Sequence, residues 1–458
     1  MNKKEDKLVL GVAPTRRKMY DPKFALENKK EVSQKVEELA DDNTEIVDID
    51  WLNEEGILIE VEDVKEVAEY FKKQNVDALF MPHCNFGSEE VVGMLGKALD
   101  KPFLLWGPRD DSPPEEGKVR QTDTQCGLFA SSKALQRYGV PFTYIENCHT
   151  CEETFAKEFN NFLKVASVVK TFKDLRIGQV SVRPKPFLTV MVNESELLEK
   201  FGIEVVPITG VEITSQVEEI LANRKESVQT IIEDIKETLD CSMMEKEEME
   251  KIAALELALM ELAQENDCNV MASECWRTFA QSLGIRSCFV FGDVTDRGLP
   301  VACETDIHGA VSSVLLQAAA RGETLPFLAD LTLRHPENDN AELLWHCGPF
   351  PKSLAREGSN PFLKDCKGQY ELKHGNITIA RFDGINNNYN MFAGLARGVE
   401  GPSTNGNYVW VEVDDWVKWE KKFIYGPYIH HVAAIHGDYV SVLHEACKYI
   451  KDLNVDSV

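Results

Sequence analysis

The chain predicts an α/β protein: two parallel-sheet domains followed by a mainly β third domain. Three observations carry that reading. Apolar runs of strand length alternate with charged segments of helical spacing through the first two thirds of the sequence. A polar break before Leu175 opens a second such alternation. Past Asp330 the runs turn β-branched and aromatic, with Gly and Asn clusters between them, the pattern of a small barrel. The domains expected are 1–170, 171–335 and 336–458.

In the first domain, strands are expected at 7–12, 45–49, 78–81, 103–106 and 142–145, with helices at 64–73 and 90–99 between them. Loops at the carboxyl ends of parallel strands face ligand. Here they carry Arg16 and Arg17, then Pro82 to Gly87 with Asn85 among them, then Gly107 to Asp111 with Arg109. Arginines so placed, with Arg120 further on, can grip an anionic or hydroxylated substrate, although a loop arginine also serves as a solvated or salt-bridged residue.

The second domain predicts strands at 175–180 and 203–208, an acidic helical region at 211–267, and strands at 268–273, 288–291 and 300–305. Its end reads as strand, helix, strand: 300–305, 310–320 and 326–331. Strands joined by a crossover helix usually run parallel, and Glu304 and Asp330 stand at the carboxyl ends of this pair. As direct neighbours the strands would lie about 4.8 Å apart, which lets both carboxylates reach one cation. Plainer roles also fit, with Glu304 capping the helix and Asp330 opening a turn.

In the third domain, strands are expected at 376–382 and 408–413, and helical signals return only at 440–450. His430 and His431 open a short apolar strand, where alternation lets only one of them face a shared site. An imidazole beside two carboxylates suits Mn²⁺ or a similar divalent ion. His346, in Trp345-His346-Cys347-Gly348, reads as a further ligand, a substrate contact, or a histidine packed beside Trp345.

Composition narrows the partners. Acidic residues outnumber basic ones by 76 to 50, and a formal charge of −26 repels nucleic acid and anionic membrane surfaces. No run approaches the roughly 18 apolar residues of a membrane span, and the first residues lack the apolar core of a signal peptide, which reads as cytoplasmic. The 12 cysteines are scattered and read as free thiols; Cys148-His149-Thr150-Cys151 has no second pair at zinc-finger spacing and reads as structural or incidental.

These residues together resemble the L-fucose isomerase and L-arabinose isomerase superfamily. The matching segments are Gly178-Gln179-Val180-Ser181-Val182-Arg183-Pro184, Phe201-Gly202-Ile203-Glu204-Val205-Val206, Ala302-Cys303-Glu304-Thr305-Asp306, Phe327-Leu328-Ala329-Asp330, Trp345-His346-Cys347-Gly348 and His430-His431-Val432. The resemblance implies two Rossmann-like domains ahead of the β-rich one. It implies Mn²⁺ or another divalent cation on Glu304, Asp330 and His431, with His430 and His346 as lesser candidates. It also implies a trimer or hexamer whose site borrows a neighbour's first domain, which would bring in Arg16 and Asn85.

The implied reaction interconverts an aldose and its ketose through a cis-enediol(ate), with Glu304 and Asp330 as the catalytic carboxylates. Asp306 and His308 would orient Glu304, while Glu274, Cys275, Trp276 and His346 would border the sugar. The substrate would be a hexose, a deoxyhexose or a substituted hexose such as sulfoquinovose. The other class of reading is a non-catalytic sugar-binding or regulatory protein on the same fold, which has no need of a proton-transfer pair. A metal-dependent lyase or epimerase would keep the same ligands.

Overall fold

A computed structural model describes residues 7–110, 120 and 122–458, so Asp111 of the third ligand-facing loop lies outside it. The chain divides into two units, Met1–Lys170 with Lys448–Ile450, and Thr171–Cys447 with Lys451–Val458.

The first unit alternates β1 (Leu8–Val12), α1 (Pro22–Leu39), β2 (Thr44–Val47), α2 (Val64–Lys73), β3 (Ala78–Pro82), α3 (Glu89–Leu99), β4 (Phe103–Trp106), α4 (Thr124–Tyr138), β5 (Thr143–Tyr144) and α5 (Glu153–Lys173). Its strands form one parallel sheet in the order β2-β1-β3-β4-β5. Both faces are covered, so its central strands read as continuous apolar runs. Leu79, Met81, Phe103 and Leu105 pack with Phe71 and Leu95 on one face. Phe80, Leu104 and Trp106 pack with Phe155, Phe159 and Phe162 on the other. Each such side chain contributes roughly 1.5–3 kcal/mol on burial. The strand order reverses between β1 and β3, a switch point at which open parallel sheets take ligands. Arg16 and Asn85 stand in the loops that follow those two strands.

The second unit begins with β6 (Arg176–Val180), α6 (Glu194–Phe201), β7 (Glu204–Ile208), α7 (Gly210–Asn223), α8 (Lys225–Thr238), α9 (Lys246–Glu265), β8 (Val270–Ser273), α10 (Thr278–Ser282), α11 (Cys288–Asp296), β9 (Val301–Cys303) and α12 (Ile307–Ala320). Its parallel sheet has the order β7-β6-β8-β9, with its own switch point between β6 and β8. The expected strand at 288–291 is instead the start of α11. Every residue from Cys288 to Thr295 is buried, so the helix shows no polar face and its apolar run imitates a strand.

The rest of the unit is mainly β: β10 (Pro326–His335), β11 (Asn338–His346), β12 (Phe362–Lys364), β13 (Lys367–Glu371), β14 (Asn376–Ile385), β15 (Asn388–Val399), β16 (Asn407–Glu412), α13 (Trp416–Tyr425), β17 (His431–His436), α14 (Val440–Cys447) and β18 (Leu453–Ser457). Six of these strands close a barrel in the cyclic order β16-β11-β10-β17-β14-β15, the last pairing back to the first, and every contact in the ring is antiparallel. Closure leaves no open edge among the six. Helix α13 was not anticipated. Asp415 caps it by accepting from the Lys418 amide, and its buried Trp416 and Trp419 belong to a run whose aromatic and β-branched residues favour strands.

One correction bears on the site. Strands β9 and β10 are not neighbours in one sheet, as the strand, helix, strand reading expected, because β9 ends the parallel sheet while β10 enters the barrel. Asp330 therefore lies within a barrel strand, and what brings it to Glu304 is the strand carrying His431.

Candidate metal and active site

The site forms where the parallel sheet meets the barrel inside the second unit. After β9 the backbone takes two left-handed residues, Glu304 at φ 61° and Thr305 at φ 57°. Such a conformation costs roughly 1–3 kcal/mol for a residue with a side chain, and it persists only where the surroundings hold it. Asp306 then caps α12, its Oδ1 accepting from the Gly309 amide at 2.9 Å. A Cβ on Gly309 would lie 2.6 Å from Asp306 Oδ2, so only glycine lets the cap close. In the barrel, Asp330 of β10 stands opposite His431 of β17 on one side and Trp345 of β11 on the other.

His431 is the hub of this arrangement. Its Nε2 lies 3.2 Å from Glu304 Oε2 and 3.4 Å from Asp330 Oδ1, while its Nδ1 lies 2.9 Å from Asp306 Oδ2. Trp276 donates its indole N–H to Glu304 Oε1 at 2.9 Å. Asp306 is held in turn by the wholly buried Arg381, at 2.5 Å from Nη1 and 3.1 Å from Nη2. The Nε of Arg381 donates to Asp383 Oδ2 at 2.8 Å, and Asp383 Oδ1 pairs with His308 Nδ1 at 2.9 Å. His308 thus reaches Asp306 only through Asp383 and Arg381.

Electrostatics follow from that geometry. Burial works against ionisation of Asp306, but Arg381 and His431 outweigh it and hold the carboxyl well below the usual range. Burial likewise opposes the charge on Glu304, yet His431 and the Trp276 N–H leave its pKa lowered. Burial pulls the His431 imidazole down, and the Nδ1 hydrogen bond to Asp306, with the carboxylates of Glu304 and Asp330 close to Nε2, raises it to about 10. The carboxylates thus hold a positive charge at the centre of the site.

A divalent ion fits where that proton sits. Asp330 Oδ1 and His431 Nε2 are buried, and neither makes a directed hydrogen bond. Because Asp306 accepts from Nδ1–H, the Nε2 lone pair of His431 is directed at Glu304 and Asp330, as a metal-ligating histidine requires. A set of two carboxylates and one imidazole suits Mn²⁺ and similar ions.

His430 needs a correction. It precedes β17 and is exposed, so strand alternation does not turn it away; its donor atom lies within 4.8 Å of those of Asp330 and His431.

His346 is set up differently. Against burial, which lowers it, the Cys347 thiol first and then Asp330 and Glu304 raise its pKa to about 9. The Cys347 amide, however, points its N–H at His346 Nδ1 from 2.9 Å. A second N–H there would be repulsive, so geometry decides for a neutral ring with its proton on Nε2. That nitrogen is buried without a partner and can donate to a ligand oxygen.

The remaining candidates divide by unit. The Glu274 carboxylate accepts from the backbone amides of Trp276 at 2.7 Å, Arg277 at 2.9 Å and Thr278 at 2.8 Å, so it shapes the turn that presents Trp276. Trp276 stays 42% exposed, which leaves ring surface open to a ligand. Cys275 is buried with its Sγ 3.2 Å from that of Cys303. In the first unit, Arg16 forks onto Glu55 at 2.6 and 2.9 Å, and Asn85 Oδ1 accepts from the Arg17 amide at 2.8 Å. A second carboxylate and histidine group, Glu371, His374 and Glu400, surrounds Arg356, which pairs with both acids and supplies the positive charge there. The sequence reading missed Arg381 and Asp383; their signal was two ionisable residues inside an otherwise apolar strand.

The chain is similar to several known proteins. Residues 11–173 match the family described as fucose/sulfoquinovose isomerase, N-terminal domain. A sulfoquinovose isomerase from Priestia aryabhattai is 25% identical over 397 residues, covering 84% of this chain and 86% of that protein. One from Alkalicoccus urumqiensis is 26% identical over 313 residues, covering 67% of this chain and 68% of its own. Among solved structures, a periplasmic solute-binding protein from Actinobacillus succinogenes with bound D-allose covers 58% of this chain and 78% of its own, at a TM-score of 0.18 and 10% identity, too loose an overlay to support an argument. The N-terminal third of the chain is thus similar to the fucose/sulfoquinovose isomerase N-terminal domain, and most of its length is similar to proteins named sulfoquinovose isomerase.

Proposed function

We propose that this protein is a divalent-metal-dependent aldose–ketose isomerase that acts on a sulfonated hexose of the sulfoquinovose kind. The observation that carries the reading is the convergence of Glu304, Asp330 and His431, with His431 oriented by Asp306. Mn²⁺ or a similar ion held by these three would polarise adjacent sugar oxygens and stabilise negative charge as it develops. Glu304, whose pKa is lowered, is ionised at neutral pH and can take a proton from the sugar's C2. Asp330 is the second carboxylate available to move a proton. The Nε2–H of His346 donates to a sugar oxygen, and the open face of Trp276 packs against the sugar ring.

The substrate class rests on the relatives, which are named sulfoquinovose isomerases over most of this chain's length. As family resemblance implies, the enzyme is taken to be a cytoplasmic homo-oligomer, a trimer or hexamer, with Arg16 and Asn85 as substrate contacts. The experiment is NMR in D₂O on the Mn²⁺-loaded protein with sulfoquinovose, L-fucose, D-arabinose, L-arabinose and D-glucose. Deuterium at C2 of sulfoquinovose together with its ketose is expected, and chelation should silence both until Mn²⁺ is returned. Silence across the panel, or turnover that survives rigorous metal removal, would overturn the proposal.

A further inference from the structure

Outside the metal centre, the second unit holds a cavity of about 400 Å³, within the size range of small-molecule sites. Gln179, Arg183, Lys185, Glu194, Thr305 and Ile307 are among its lining residues. Thr305 directly follows Glu304, so the cavity adjoins the segment that carries the candidate catalytic carboxylate. It also lies where the fold places ligands, at the carboxyl ends of β6 and β9 and beside the switch point between β6 and β8.

The loop after β6 contributes its two cations. The Nη1 of half-buried Arg183 donates to the carbonyls of Lys185 at 3.3 Å and Phe187 at 3.2 Å, which fixes the loop. Phe187 sets its ring edge against Trp276, centroids 4.9 Å apart, and Trp276 donates to Glu304. The loop is therefore tied to the carboxylate through one aromatic contact and one hydrogen bond.

In a chain with 76 acidic and 50 basic residues, cations generally find carboxylates. Arg176, Arg224, Arg297, Arg334, Arg381 and Arg397 of this unit all do. Among the described residues Arg183 and Lys185, like Arg277 and Arg286, have no such partner, and Arg183 and Lys185 are the ones that line this cavity. Glu194, in the first turn of α6, is the acidic residue of the lining, so two cations face one carboxylate. A cationic cavity in an acidic protein is matched by an anionic ligand group.

We infer that Arg183 and Lys185 form the anion-binding end of the substrate cavity and select an aldose that bears a sulfonate at the carbon remote from its aldehyde. The inference deepens the isomerase reading and rests on it. The guanidinium contributes directed donors to the sulfonate oxygens and the lysine a mobile charge.

The test measures kcat/KM of the Mn²⁺-loaded full chain for sulfoquinovose and for 6-deoxy-D-glucose, in wild type, Arg183→Gln, Lys185→Gln and Arg183→Lys. Arg183→Gln should lower the ratio of the two values about 10- to 100-fold, the range for losing a hydrogen bond to a charged group, mainly through KM, with Arg183→Lys partly restoring it. An unchanged ratio would overturn the inference. Should wild type turn over neither sugar, the isomerase reading falls, and calorimetry with methanesulfonate decides the cavity separately. Binding that is lost in Arg183→Gln upholds the anion site; equal binding by wild type and variant, or none by either, removes it.

Discussion

The Oδ2 of Asp306 lies 2.9 Å from the Nδ1 of His431, and that bond sets which nitrogen of the ring faces Glu304 and Asp330. Asparagine in place of Asp306 would keep the size, lose the charge and leave Arg381 without one of its carboxylates. Second partners of this kind typically change metal affinity by about 10- to 100-fold. Asp306→Asn should therefore weaken Mn²⁺ binding by about that factor, read by titration with electron paramagnetic resonance. Wild-type affinity in the variant would mean that His431 is oriented by something else or is not a ligand.

Glu304 is the carboxylate for which loss of charge and loss of fold separate most cleanly. Its side chain accepts from Trp276 and faces His431, contacts that glutamine can largely keep. Glu304→Gln should lower isomerisation by about 10²- to 10⁴-fold, the usual contribution of a general base, or further if metal is also lost. The far-UV spectrum and melting temperature should remain near wild type. A well-folded variant at full activity would remove Glu304 from the reaction.

Much of this was legible in the sequence, for physical reasons that differ by element. Parallel strands buried on both faces announce themselves as apolar runs, which is why β1, β3, β4 and β6 fell where expected. Glu304, Asp330 and His431 stood out because ionisable residues at the edges of apolar runs are few. Which sheet a strand joins is not a local property, however. Nothing in residues 300–331 tells that β9 and β10 part company, or that Asp330 meets Glu304 across β17. Helix α11 was misread because full burial erases its periodicity, and α13 because aromatic residues favour strands. Arg381 carried its signal in plain sight but needed Asp306 and Asp383, distant in sequence or hidden in the same strand, to acquire a meaning.

Arg381 also makes a stability prediction. It is fully buried with its donors on Asp306 and Asp383. Replacing it with methionine fills similar space and leaves two buried carboxylates without their cation. Removing one partner of a buried ion pair generally costs about 3–5 kcal/mol. Arg381→Met should lower the urea midpoint accordingly, whereas a loss under about 1 kcal/mol would show that protonation or water relieves the pair.

Glu342 on β11 predicts a pH dependence away from the candidate site. It is 5% exposed, and burial, aided by Glu420 and opposed by Arg334, raises its pKa from the ordinary 4.5 to about 7. A carboxyl whose folded pKa is raised prefers its proton in the native state. Its contribution is fully present below about pH 4.5 and is lost as pH climbs through about 7, because the unfolded chain ionises freely while the folded one must bury a charge. Glutamine mimics the protonated form at every pH. Glu342→Gln should therefore match wild type in unfolding free energy near pH 4 and exceed it at pH 8 by on the order of 1–3 kcal/mol. Urea titrations at the two pH values measure the difference. A gain of equal size at both would trace to packing, and a loss at pH 8 would show that the ionised carboxylate is stabilised in the fold by Arg334.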